Sequence, residues 1–274
     1  MAITDALQIV SMTDPGKVRG HNEDCVESRP AIGVLVLADG MGGYNAGEVA
    51  SGMATSLIAT GLAEVWTRDA LKSLDRDQSS ALSHQLLQQQ ITAANSAIFD
   101  AALKDPQCAG MGTTLVTCIF YDNFLTVGHI GDSRLYRLRG DAFEQITKDH
   151  SLLQEQIDSG LISKEDARQS HNKNLVTRAV GIDPEVEAEI HSYEVLEGDI
   201  FLLCSDGLND MIEDEEIEMT LIALSSNLEL TAQQLVQAAN DAGGRDNISV
   251  MLVKVVSGFA VERGLWARVK SWFE

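Results

Sequence analysis

The stretch TTLVTCIFYDNFLTVGHIGD, residues 113–132, contains two runs of β-branched and aromatic residues separated by a short polar turn. Runs of this kind, bounded by Gly, Asp or Asn, predict β-strands. The letters YDN between the runs are typical of a hairpin turn, so the two strands are expected to pair antiparallel. The letters RGDA at residues 139–142 predict a second hairpin in the same way.

The rest of the chain adds further strands and several helices. Apolar residues recur at near-helical spacing from Val49 and from Leu87, and helical patterns return in residues 151–159, 214–223 and 230–242. Further runs typical of strands are GVLVLAD, RLYRLRG, AFEQITKD, DIFLLCSD and NISVMLVKVV. Strands that cluster in runs, with helices grouped between them, predict an α+β fold rather than an alternating βαβ sheet.

Composition narrows the class of protein. The chain has 274 residues, only four prolines and 45% apolar residues, which favours one large domain. With 20 basic and 41 acidic residues its net charge is −21, which would repel a phosphate backbone and argues against a nucleic-acid binder. Bound divalent cations would offset this charge at any site that handles phosphate.

The sequence also indicates a compartment. The four cysteines form no CxxC pair, and two lie in the apolar runs LVTCIF and FLLCSD, so reduced core thiols are expected. The first residues, MAITDALQIVSM, lack the basic leader of a signal peptide, and no run of 18 apolar residues indicates a transmembrane segment. We therefore expect a cytoplasmic protein.

Four aspartates lie at the edges of apolar strands beside glycine or a small polar residue: Asp39, Asp132, Asp206 and Asp246. A single DG pair is more typical of a turn. Four aspartates that all lie at strand ends favour a metal site instead, because a cluster of carboxylates is costly without cations to offset its charge. The Gly40 carbonyl could join such a site, since glycine allows close approach of the backbone. Oxygen ligands suit Mg²⁺ or Mn²⁺ rather than zinc.

A resemblance then becomes visible along most of the chain. The run GKVRGHNED, residues 16–24, is followed by LADGMGG, GMGTTL, GDSRLYRLR, DHS, NLVTRAVG, SDGL and GGRDNISV. From about residue 10 to residue 255 these motifs resemble the bacterial branch of the metal-dependent type 2C protein phosphatases. The resemblance implies a central antiparallel β-sandwich in α-β-β-α layers. It also implies hydrolysis of phosphoserine and phosphothreonine in proteins by a metal-activated water.

The resemblance assigns metal ligands residue by residue. Asp39 is expected to bridge two Mn²⁺ or Mg²⁺ ions, with the Gly40 carbonyl on the first ion. Asp206 and Asp246 are expected on the second ion. Asp132, together with Asp206, resembles the ligands of a third and weaker site.

Three more residues receive catalytic roles from the same resemblance. Glu23 and Asp24 match an outer acidic pair that orients metal-bound waters. Arg19 matches the guanidinium that binds the substrate phosphate, and its planar fork suits bidentate contact. Asn247, next to a ligand, is expected either to shape that loop or only to stabilise a turn.

One position departs from the family pattern. Many eukaryotic relatives have a histidine directly after the DG, as the acid that protonates the leaving alkoxide, and this chain has Met41 there. His21 and His171 are the candidate acids, although a lone histidine is more often structural. His171 lies in the polar segment from Leu153 to Lys173, which is expected to be either a flap beside the site or a solvated surface helix pair.

Domain limits, partners and rival functions complete the predictions. Residues 1–256 are expected to form the catalytic domain, and residues 257–274 a short amphipathic helix, packed on that domain or docked to a partner or an anionic membrane surface. A monomer, phosphorylated protein substrates and an opposing serine/threonine kinase follow from the resemblance. The rivals are a catalytically inactive phosphoprotein-binding module, a metal-dependent nuclease and a small-molecule phosphatase.

Overall fold

The computed structural model describes residues 2–43, 46–163, 166 and 175–261. Its strands are β1 Leu7–Asp14, β2 Asp24–Arg29, β3 Val34–Met41, β4 Gly112–Thr113, β5 Leu115–Tyr121, β6 Phe124–Ile130, β7 Arg134–Arg139, β8 Ala142–Gln145, β9 Glu189–Glu194, β10 Ile200–Cys204 and β11 Ile248–Val255. Its helices are α1 Ile3–Ala6, α2 Ala46–Val65, α3 Arg68–Lys72, α4 Arg76–Lys104, α5 Leu152–Asp158, α6 Asp206–Asn209, α7 Asp214–Leu224 and α8 Leu228–Asp241.

The strands form two antiparallel sheets. The first sheet has the order β1-β11-β10-β7-β8, and the second has the order β2-β3-β5-β6-β9, with β4 added against β3. The predicted hairpins β5–β6 and β7–β8 are both present. Asp122 and Asn123 make the first of these turns with φ values of 47° and 60°, the left-handed conformation that tight hairpin turns require.

Three apolar cores separate four layers. Along β3, Leu35 and Leu37 face the first sheet, whereas Val34 and Val36 face helices α2 and α4. A third core lies between the first sheet and helices α7 and α8, around residues such as Leu202. Because β3 is buried on both faces, its sequence is continuously apolar. The α-β-β-α sandwich predicted from the sequence is therefore confirmed.

Helix α4 shows how local sequence sets the limits of the elements. Asp75 accepts a hydrogen bond from the Gln78 backbone N–H at 2.8 Å, and the Gln78 side chain accepts one from the Asp75 backbone N–H at 2.9 Å. This reciprocal capping box satisfies donors that an open helix end leaves unpaired. The helix ends at Lys104, two residues before Pro106, which cannot continue it.

Strands β1, β2 and β9 were not predicted. Each of the three lies at the edge of a sheet, where one side of the strand has no neighbour. Their sequences, LQIVSMTD, DCVESR and EIHSYE, accordingly mix polar and apolar residues instead of forming continuous apolar runs. In the described part of the chain, no helix is both long and apolar enough to cross a membrane.

Candidate metal centre

Sheet register gathers the predicted aspartates at one end of the sandwich. In the second sheet, Asp24 at the start of β2 lies directly opposite Asp39 near the end of β3. In the first sheet, β10 ends beside the beginnings of β7 and β11. Asp206 follows β10, and Asp132 and Asp246 precede the two neighbouring strands. All five carboxylates therefore come from the same end of the two sheets.

Hydrogen bonds between the two sheets hold their two groups of aspartates together. Ser205 Oγ in the first sheet donates to Asp24 Oδ2 in the second at 2.8 Å. The Glu23 backbone N–H donates to Asn247 Oδ1 at 2.8 Å, and the Glu23 carbonyl accepts from the Gly40 N–H at 3.1 Å. These bonds connect segments that are far apart in sequence at the end of the sandwich that carries the aspartates.

Thr114 supports Asp39 from behind. Its backbone N–H donates to the Asp39 carbonyl at 2.8 Å, and its Oγ1 accepts from the Asp39 N–H at 3.2 Å. The same hydroxyl lies 2.7 Å from Ser133 Oγ, next to Asp132. Thr114 and Ser205 lie in the motifs GMGTTL and SDGL, but their supporting roles were not predicted from the sequence.

Burial and mutual repulsion make these carboxylates hard to ionise. Burial raises the pKa of Asp39 well above its usual range, and the nearby Asp24 and Asp206 raise it further. Burial, followed by the charge of Asp132, does the same to the pKa of Asp206. Burial also raises the pKa of Asp24 to about 6 and that of Asp132 to about 7, the latter with help from Asp149.

The donor set fits hard divalent cations. Among the residues that the structure describes, none donates a hydrogen bond to three buried carboxylate oxygens: Glu23 Oε1, Asp24 Oδ1 and Asp206 Oδ1. Buried polar atoms in folded proteins almost always have a partner, so such a group of oxygens points to a ligand. Carboxylate oxygens in this number suit Mg²⁺ or Mn²⁺, which would also offset the repulsion between the aspartates.

Gly40 allows the backbone to pass through the centre. A Cβ at this position would lie 2.1 Å from the Gly47 carbonyl oxygen and 2.7 Å from the Glu23 carbonyl oxygen, both of which are backbone atoms. Only glycine therefore lets β3 approach the start of helix α2 this closely. The buried position beside Asp39 is consistent with the ligand role expected for the Gly40 carbonyl.

Arg19 lies at the mouth of the centre. It is exposed, and its Nη2 donates to Asp246 Oδ2 at 2.6 Å, a bond that raises the pKa of the guanidinium. Asn247 holds the loop that carries Arg19, because its Nδ2 donates to the carbonyls of Pro15 and His21 at 3.0 and 2.8 Å. This support of the Arg19 loop was not predicted, and the two roles expected for Asn247 within its own loop stay predictions.

An acidic cleft of about 230 Å³ opens beside the centre. Asp132 and Asp206 line it together with Asp149, which the Arg134 guanidinium holds through bonds of 2.7–3.1 Å. The cleft gives access from solvent to the side of the centre where the third cation is expected. Its acidic walls would favour cationic groups over anionic ones.

The predicted general acids remain untested. His21 is exposed and lies on the loop between Arg19 and Glu23. His171 lies outside the described residues, as does most of the predicted flap beyond Ser163. Met41 is half-buried at the end of β3, opposite Gly112. The predicted C-terminal helix lies outside the described residues from residue 262 onward.

Comparison with known proteins agrees with this geometry. Residues 21–251 match the family described as Protein phosphatase 2C. A relative named serine/threonine phosphatase stp, from Listeria innocua serovar 6a, is 37% identical over 245 residues, which cover 88% of this chain and 93% of the relative. The serine/threonine protein phosphatase PstP of Mycobacterium tuberculosis is 39% identical over 254 residues, 93% of this chain and 46% of that longer protein.

Solved structures have the same fold. The crystal structure of the Mycobacterium tuberculosis phosphatase PstP/Ppp superposes with a TM-score of 0.80 at 37% identity, covering 92% of this chain and all of that one. The catalytic domain of PstP in complex with two manganese ions gives a TM-score of 0.77 at 38% identity, covering 92% of this chain and 99% of that one. The match over residues 21–251 places the chain in the protein phosphatase 2C family, whose members are metal-dependent protein phosphatases.

Proposed function

We propose that this chain hydrolyses phosphoserine and phosphothreonine in proteins with the help of bound Mn²⁺ or Mg²⁺. Asp39, the Gly40 carbonyl, Asp206 and Asp246 would hold two ions, and Asp132 with Asp206 would hold a third more weakly. The observation that carries the proposal is the group of buried carboxylate oxygens without donors at one end of the sandwich. The relatives named as serine/threonine phosphatases support the substrate class.

When bound, two divalent cations lower the pKa of water towards neutrality and stabilise the negative charge that develops on a phosphoryl group. Asp24 would orient a water molecule, because its Oδ2 is occupied by Ser205 while its Oδ1 is unpartnered. Glu23 has an unpartnered Oε1 in the same region and would act alongside it. Burial raises the pKa of both carboxyl groups, that of Asp24 to about 6, which favours proton exchange by Asp24 near neutral pH.

Arg19 would bind the substrate phosphate through its guanidinium fork. For this it must release Asp246, to which it is bonded at 2.6 Å. A cation held by Asp246 would share that carboxylate and weaken its bond to Arg19. Arg19 is half-exposed and can turn towards the mouth of the centre, so cation binding and phosphate binding would cooperate.

We also propose the finer predictions as features of this chain. It would work in the cytoplasm, as a monomer, on phosphoproteins made by a serine/threonine kinase. Residues 1–256 would form the catalytic domain. The tail from residue 257 would pack on that domain, since Phe259 is buried and its backbone N–H donates to Asn123 Oδ1 at 2.6 Å.

Asp206→Ala tests the proposal directly. A phosphothreonine peptide is offered to wild type and variant with Mn²⁺ or with a chelator, and Mn²⁺ binding is followed by calorimetry. Wild type should lose activity in chelator and regain it with Mn²⁺. The activity of the variant should be at least about 10³-fold lower than that of wild type, and the variant should no longer bind Mn²⁺ tightly. Asp141→Ala, in the exposed β7–β8 turn, is the matched control. Near-normal turnover by Asp206→Ala at saturating Mn²⁺ would refute the site.

A further inference from the structure

A second cluster of polar side chains lies next to the metal centre but outside the proposed ligands. His129 and His150 are buried, and their rings stack with centroids 4.7 Å apart and planes inclined by 22°. Glu189 joins them from the edge strand β9, and one ligand-type atom of each residue lies within 4.8 Å of the other two. Such a group resembles a transition-metal site, so its hydrogen bonds decide what it does.

The hydrogen bonds of His150 conflict with metal binding. The Gly131 N–H donates to His150 Nδ1 at 3.2 Å, so this nitrogen carries a lone pair. A neutral imidazole has one donor and one acceptor nitrogen, which places the proton on Nε2. That nitrogen lies 3.1 Å from Glu189 Oε1, a close polar contact without hydrogen-bond geometry, and it has no hydrogen-bond partner among the described residues. An ion on Nε2 would move the proton to Nδ1, directly against the N–H of Gly131.

The stacked geometry points the same way. Ring nitrogens hold their lone pairs in the ring plane, and those of two nearly parallel rings do not converge on one ion. His129 Nε2 lies 2.9 Å from the Lys148 carbonyl, which makes it a donor to the backbone. Each histidine thus uses one ring nitrogen to bond to the backbone, His129 to Lys148 and His150 to Gly131, and the two rings are oriented for these bonds rather than for a shared ion.

The hydrogen bonds of His150 hold the loop that carries Asp132. The His150 backbone N–H donates to the Gly131 carbonyl at 2.8 Å, and the His150 ring accepts from the Gly131 N–H. Both backbone polar groups of Gly131 are therefore bonded to His150. Gly131 has a φ of 98°, and a Cβ there would lie 2.7 Å from Thr114 Cβ. The loop is thus held between His150 on one side and Thr114, which supports Asp39, on the other.

We propose that His150, which lies against Glu189, is a positioning residue that fixes Asp132 for cation binding through its two bonds to Gly131. The proposal rests on the ligand role of Asp132 in the proposed function. His150 also joins this loop to the start and return of the predicted flap. Its carbonyl accepts from the Thr177 N–H at 2.8 Å, and the next residue, Ser151, pairs with Val176.

Two substitutions of His150 separate its hydrogen bonds. His150→Asn places an amide oxygen near the position of Nδ1 and can still accept from Gly131 N–H. His150→Gln reaches the position of Nε2 and keeps the contact with Glu189, but it loses that acceptor. We expect Gly131 amide hydrogen exchange to be about tenfold faster in the Gln variant, the effect of one hydrogen bond, and close to wild type in the Asn variant.

The loss of cation affinity should follow the same order, with the Gln variant of His150 affected more than the Asn variant. In Mn²⁺ titrations by calorimetry, the weakest bound ion should lose about tenfold in affinity in His150→Gln and keep most of it in His150→Asn, the usual scale for a group that orients a ligand. Glu189→Ala, which leaves the buried histidine in place, should shift both measurements in the direction of the Gln variant. It keeps the proposal testable even if a His150 variant does not fold.

His129→Gln is the matched control. It keeps a donor near the Lys148 carbonyl and removes Nδ1, so Gly131 exchange and Mn²⁺ binding should stay as in wild type. Equal exchange at Gly131 in wild type and the Gln and Asn variants of His150 would overturn the positioning role alone. An extra zinc ion bound by wild type and lost in both His129→Gln and Glu189→Ala would overturn it in favour of a metal site. Unchanged Mn²⁺ stoichiometry in Asp132→Ala would instead remove the ligand role on which the proposal rests.

Discussion

Asp132 offers a test of the electrostatics of the metal-free centre. Burial raises its pKa to about 7 from a usual value of 3.8. A carboxyl group with a raised pKa holds its proton more tightly in the folded state. Its favourable contribution is complete below the unfolded pKa and is lost as the pH rises through the folded pKa. The metal-free protein should therefore lose stability between about pH 4 and pH 7 because of this group.

Asp132→Asn removes this charge while keeping the size of the side chain. At 1.36 kcal/mol for each unit of pKa, the difference between 3.8 and about 7 corresponds to about 4 kcal/mol. In the presence of chelator the variant should match wild type within about 1 kcal/mol at pH 4. At pH 8 it should be more stable than wild type by about 4 kcal/mol.

Urea unfolding at pH 4, 6 and 8 measures this difference. Asp141→Asn, in the exposed β7–β8 turn, is the control and should show no pH-dependent gain. Saturating Mn²⁺ should narrow the difference at pH 8, because wild type then gains stability from the third ion, which the variant binds less well. A gain in the metal-free variant that stays constant from pH 4 to pH 8 would refute the reasoning.

Three further predictions follow from single contacts. Gly40→Ala should cost about 2 kcal/mol or more in urea unfolding, because its Cβ would lie 2.1 Å from the Gly47 carbonyl oxygen. Gly43→Ala, whose Cβ would meet no described atom within 4 Å, should be neutral. Arg19→Lys should raise KM for a phosphothreonine peptide about tenfold and leave Mn²⁺ binding intact, since lysine lacks the planar fork; unchanged KM would exclude Arg19 as the phosphate ligand. Phe259→Ala should lower stability by about 3 kcal/mol because this side chain is buried, and an unchanged Tm would show that the tail does not pack on the domain.

The local pattern of apolar residues predicted much of the fold. Strands β3, β5 and β6 are buried on both faces, so their sequences are mostly apolar and easy to recognise. The edge strands β1, β2 and β9 were missed, because half-exposed strands have no such signal. The edge strand β8 was predicted because the turn letters RGDA mark its hairpin with β7.

The candidate site was likewise predicted only in part from the sequence. Asp39, Asp132, Asp206 and Asp246 were found from the sequence, since each stands at the end of a recognisable strand within a family motif. Their convergence at one end of the sandwich depends on the register between strands far apart along the chain.

The supporting contacts came from the tertiary structure alone. Ser205 bonds to Asp24 across 181 positions of sequence, and Glu189 reaches His150 from an edge strand that the sequence did not reveal. Hydroxyl and imidazole groups are common along the chain and carry no periodic signal. What each one bonds to is decided by which backbone segments the packing of the two sheets brings within 3 Å or so, the normal length of a hydrogen bond. The sequence by itself thus determined the residue types and the ends of the central strands, and the tertiary structure decided their partners.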